Sequence, residues 1–158
     1  MTTVTIGLND DQARCFREHS CFVTFFPERS QIPVGHPVKT TFNGKDQGDA
    51  VVVAIQEAHM RADDGGVLDG FIFIFVAEIM EVEAVNRHVT MVIPPEAVDS
   101  YQRYGFFVLP FVEEDDLAIG GIMDLTNIGL GLEPGVIVAV QKFMATWRYL
   151  FIVAKPSQ

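Results

Sequence analysis

The sequence predicts an α+β fold, predominantly antiparallel β, built as a barrel-like or two-layer sheet of about nine strands with two short helices near residues 10–19 and 95–104. Three observations predict it. The run Phe71-Ile72-Phe73-Ile74-Phe75-Val76-Ala77 is apolar throughout and must be covered on both faces. Short β-branched and aromatic segments recur along the chain, separated by Gly, Pro, Asn and Asp turn signals. Only two windows combine a helical apolar period with start and stop residues.

The elements follow in order. Thr2 to Leu8 alternates weakly and reads as a short strand. Asn9 can cap a helix and Gln12, at N3, can reach back to it, while Leu8 and Ala13 occupy the staple positions. That helix runs to about His19 with Ala13 and Phe16 inward. Cys21 to Phe26 is a strand stopped by Pro27, and His36 to Phe42 is a strand ending at the hairpin pair Asn43-Gly44. Because Lys45 to Asp49 stays polar, the turn is expected inside a longer loop before the strand Ala50 to Ala58.

Asp63-Asp64-Gly65-Gly66 breaks the chain ahead of Phe71 to Val82. There Glu78 has the opposite parity to Glu81 and Glu83, so a bend is expected near Ile79-Met80. His88 to Ile93 is its expected partner strand, with Val89, Met91 and Ile93 inward. Pro94-Pro95-Glu96 opens the second helix, Ala97, Tyr101 and Tyr104 share its buried face, and Gly105 ends it. Phe106 to Val112 contains Pro110 and is therefore an edge or bulged strand. Glu113 to Asp116 is an acidic turn, and Leu117 to Leu125 is kinked at Gly120-Gly121. Val136 to Phe143 and Trp147 to Ala154 close the chain. No repeat at a fixed period is apparent, and residues 1–158 are read as a single domain.

Composition narrows the function classes. At 158 residues a full core forms without staples. Hydrophobic residues make up 49% and Phe alone numbers 13, a load that either fills an aromatic core or is shared between subunits of a homo-oligomer. The net charge of −10 repels nucleic-acid backbones and anionic membranes, so no direct nucleic-acid binding is expected. It suits a basic protein partner or mimicry of nucleic acid. Gly135 to Ala154 approaches the length of a membrane span, but Gln141, Lys142 and Arg148 interrupt it, and its β-branched pieces suit strands. No membrane partner is expected, and with no basic and apolar leader at the N-terminus the expected location is cytoplasmic.

Two constellations are candidate sites. Cys15-x3-His19-x-Cys21, with His36 as a fourth donor, has residue types that hold zinc, although the paired CxxC spacing is missing. Its alternative is a buried Cys beside a helix-terminal His. His59 with Asp63 and Asp64 lies at a strand end beside a glycine turn, where with Asp69 it offers a general base or a cation site; the alternative is a solvated turn. Glu113 to Asp116 lacks the alternating ligands of a calcium loop. Gly129, Gly131 and Gly135 lack the ending of a phosphate loop, so no cofactor is expected. Phe71, Phe73 and Phe75 have the spacing of a base-stacking platform without its basic residues, and are read as core.

The leading expectation is a non-enzymatic binding or assembly module that self-associates or holds a protein partner. The alternatives are a small metal-dependent or hydrolytic enzyme using His59/Asp63/Asp64 or Cys15/His19/Cys21, and an acidic inhibitor that mimics nucleic acid.

Overall fold

The computed structural model describes residues 4–28, 32–61, 67–77, 88–111, 119–127, 130–142 and 149–154. The fold class is the predicted one: two helices and mostly antiparallel strands, arranged as two sheets. In chain order the first half holds β1 (Val4–Gly7), α1 (Asp10–His19), β2 (Cys21–Phe26), β3 (Pro37–Phe42), β4 (Lys45–Arg61) and β5 (Val67–Ala77). The second holds β6 (His88–Val92), α2 (Pro95–Tyr104), β7 (Phe106–Phe111), β8 (Ile122–Asn127), β9 (Leu130–Gly131), β10 (Gly135–Lys142) and β11 (Tyr149–Ala154).

Both helices begin and end for local reasons. At α1 the Gln12 N–H donates to Asn9 Oδ1 at 2.8 Å and the Asn9 N–H donates to Gln12 Oε1 at 3.0 Å, so two otherwise orphaned donors are satisfied reciprocally. Ser20 closes α1 and Gly105 closes α2, both left-handed. Pro95 starts α2, where its missing N–H costs nothing.

Beyond shifted strand ends, two differences from expectation change the pairing. Asn43 and Gly44 both have positive φ, 52° and 80°, the geometry a two-residue hairpin demands. The polar residues Lys45 to Asp49 therefore continue directly as β4 instead of forming a longer loop, because a ladder to β3 satisfies their backbone. His88 to Val92 does not pair with the Phe71 strand; it runs parallel to β8 in the second sheet. The expected bend near Ile79-Met80 lies outside the described residues. Pro110 does sit in an edge strand, β7.

The sheets have orders β1-β3-β4-β5-β2 and β6-β8-β10-β11-β7, with β9 beside β8. These are the same order. The match extends to single residues: position n in the first half answers to n + 85 in the second from β1 through β4, as Asp10 to Pro95 and Pro37 to Ile122 show. Val4 pairs with Val38 and Val89 with Met123, in parallel both times. A bulge between Val52 and Ala54 recurs between Ile137 and Ala139. Gly35 (φ 93°) donates its N–H to the Val52 carbonyl at 2.8 Å, and Gly120 (φ 88°) to the Ile137 carbonyl at 2.7 Å. The Phe16–Phe22 edge-to-face pair at 5.3 Å becomes Tyr101–Phe107 at 5.2 Å. From β5 onward the offset is 78, so that Phe71 opposite Phe26 corresponds to Tyr149 opposite Phe111. The chain is an internal duplication.

The halves are exchanged at their helices: α1 packs on β2 of its own half and on β10 of the other, and α2 packs on β7 and on β4. Edge strands β2 and β7 are joined to the opposite sheet by one buried glutamine each. The Val23 N–H donates to Gln141 Oε1 at 2.9 Å and Gln141 Nε2 donates to the Val23 carbonyl at 3.0 Å. The Val108 N–H donates to Gln56 Oε1 at 2.8 Å and Gln56 Nε2 donates to the Val108 carbonyl at 3.0 Å. Each side-chain amide completes the ladder as a neighbouring strand would, which an unpaired buried backbone requires.

Among the described residues, five Phe are buried in the core and five more pack partly buried against it. Phe22, Phe73, Phe75 and Phe107 are fully buried, and a contact series runs Phe16–Phe22–Phe75–Phe73–Phe26. The larger core joins Val108, Val138, Ala139, Ile152 and Ala154 to the first half, so one apolar interior crosses the repeat boundary.

Candidate functional site

One candidate is a cleft of about 420 Å³ at the junction of the halves. One wall is α1, whose residues 11, 14, 15, 18 and 19 fall on one helical face. They supply Asp11, Arg14, Cys15, Glu18 and His19. The other wall is β10, with Val140 and Lys142, together with Ile119, which is 43% exposed. The cleft therefore draws Arg14 and Lys142 from two elements of different halves.

Within this region Cys15 and Cys21 are both buried and free of disulfide. The neighbouring Cys21 thiol, with burial added, pushes the Cys15 thiol well above its usual range. His19, in the last turn of α1, lies 3.7 Å from Glu18. His36 precedes β3, and its Nε2 is buried with no hydrogen-bond partner among the described residues. Among the described residues no three His, Cys, Asp or Glu side chains are grouped to hold a metal ion.

The second candidate centres on His59 and Asp69. β4 and β5 extend as a hairpin in which His59 stands opposite Asp69. His59 Nδ1 is 2.7 Å from Asp69 Oδ1, and its Nε2 is 3.2 Å from Glu57 Oε1, two residues back on the same strand face. The Asp69 hydrogen bond, then Glu57, hold the imidazole above its usual pKa. Asp63 and Asp64 lie outside the described residues. All three groups are exposed and both imidazole nitrogens lie against carboxylates, so these ion pairs contribute little to stability.

Sequence reasoning missed Arg14, Ile119 and Lys142. Their separation along the chain hides them, and only the packing of α1 across the repeat boundary unites them. No helix among the described residues is long and apolar enough to cross a membrane. No protein-family model matches the chain, and no curated protein or solved structure is significantly similar to it.

Proposed function

We propose that the chain is a non-enzymatic assembly module that pairs with a second copy of itself through the outer edge of β6. One observation carries this reading: β6, an outer edge strand, ends in Val92, the most exposed large hydrophobic residue described, at 74%. The inner edges, β2 and β7, are closed by Gln141 and Gln56, whereas among the described residues no strand lies beyond β1 or β6. An open edge is a template for another strand, and soluble chains normally guard it with charge, Pro or a bulge. Antiparallel pairing of β6 with its symmetry mate produces a closed dimer with one continuous sheet.

The remaining expectations belong to the same reading. Two thiols side by side without a disulfide suit a reducing, cytoplasmic location. A net charge of −10 suits a protein partner and opposes nucleic acid.

Sedimentation equilibrium tests the proposal. The wild-type chain is expected as a dimer, more stable at higher salt because the acidic copies repel less. Val92→Lys places a charge in the edge and is expected to give a folded monomer. A wild-type monomer at the highest soluble concentration, or a Val92→Lys dimer of unchanged affinity, overturns it.

A further inference from the structure

We propose that the cleft between α1 and β10 binds a small organic carboxylate with an apolar body. The inference is independent of the β6 edge and rests on comparing the cleft with its own duplicate. Its volume, about 420 Å³, falls in the range of small-molecule sites, which favour junctions between structural units.

The duplication places a second set of residues around α2 and β4, each displaced by 85. There Arg14 is replaced by Asp99, Lys142 by Glu57, Glu18 by Arg103 and Ile119 by Val34. In that copy the charges are satisfied within the chain. Asp99 pairs with Arg103 at 3.2 Å, and Glu57 with His59 at 3.2 Å. In the α1 copy, among the described residues, neither Arg14 nor Lys142 has a carboxylate partner. The same architecture therefore pairs its charges on one side, whereas on the other, among the described residues, Arg14 and Lys142 stand without a carboxylate within ion-pair distance, in a chain whose net charge is −10.

The rest of the lining sets the ligand class. Ile119 and Val140 provide an apolar surface beside Lys142. Asp11, favourable in the first turn of α1, and Glu18, beside His19, bring negative charge to the same cleft. A polyanion such as a nucleotide meets that repulsion, whereas a single carboxylate reaches Arg14 and Lys142 while its body covers Ile119 and Val140. Charge-assisted hydrogen bonds to Arg and Lys supply the anchoring.

Titration of the full chain with hexanoate, followed by amide chemical shifts, tests the proposal. Saturable shifts are expected on α1 and β10, with hexanamide, the neutral analogue, at least about tenfold weaker. Arg14→Gln and Lys142→Gln are each expected to weaken hexanoate about tenfold, with thermal unfolding unchanged because both side chains are exposed. Absence of saturable shifts, equal binding of hexanamide, or tighter binding of citrate than of hexanoate overturns it. So does unchanged affinity in both variants. The measurement reads ligand shifts and not mass, so its failure is distinct from failure of the dimer.

Discussion

Gln56→Leu is expected to destabilise the chain by about 3–4 kcal/mol and Gln141→Leu by about 2–3 kcal/mol, measured by urea unfolding. Leu keeps the volume and removes the amide. Gln56 is the partner of both the Val108 N–H and its carbonyl, so its loss leaves two buried backbone groups unpaired among the described residues. Gln141 does the same for Val23, but the Val23 carbonyl also accepts from Gln12 Nε2 at 3.0 Å. That second donor softens the substitution, which is why the order of the two effects is predicted as well as their size. An orphaned buried donor or acceptor costs its full desolvation, about 1–3 kcal/mol each. Equal and negligible effects would mean that water replaces the amides and that the sheets are not clasped there.

Phe75→Ala is expected to cost about 3–5 kcal/mol, the range for deleting a fully buried aromatic side chain. Phe75 has no exposure, stacks on Phe22 at 4.8 Å with planes 7° apart, and lies 6.4 Å from Phe73. Its neighbours sit on β2 and β5 in a fixed register, Phe22 opposite Phe75, so backbone collapse into the cavity is resisted by the ladder. The equivalent residue in the second half is Val153, also buried. Val153→Ala removes fewer atoms and is expected to cost less, and the inequality is measurable in the same urea series. A Phe75→Ala loss below that of Val153→Ala would contradict this placement of the aromatic core.

Much of the fold was legible because its signals are local. The Asn9 and Gln12 capping box, Pro95, Gly105 and Pro110 each act within a few residues, and helices and edge strand stand where those residues predict. The apolar run at Phe71 is buried on both faces between β4 and β2, as its composition requires. The duplication was not legible as a fixed period. Its register changes from 85 to 78 between β4 and β5, and many equivalent positions differ in residue type, as Gln12 and Ala97, Thr40 and Leu125, or Arg14 and Asp99 show. The clearest trace is Ala50-Val-Val-Val-Ala-Ile-Gln-Glu57 against Gly135-Val-Ile-Val-Ala-Val-Gln-Lys142, where the shared Gln is the residue that joins the sheets.

The candidate sites were legible only in part, for the same reason of range. His59 emerged from its strand-end position with Asp69 named beside it, and hairpin register is what brings the two opposite each other; Glu57, two residues back on the same strand face, was the partner not named. Cys15 and Cys21 do meet, yet the helix that brings them together also buries them. Arg14 and Lys142 belong to different halves, so the cleft they share exists only after α1 crosses the repeat boundary.

Amide hydrogen exchange at Val23 and Val108 tests the duplicated clasp most directly. Both residues lie in edge strands, and without the glutamines each N–H would face no strand partner. Slow exchange at both positions is predicted in the wild-type chain, with protection lost selectively at Val23 in Gln141→Leu and at Val108 in Gln56→Leu. Rapid exchange at either amide in the wild type, at the rate of a free edge strand, would contradict the account.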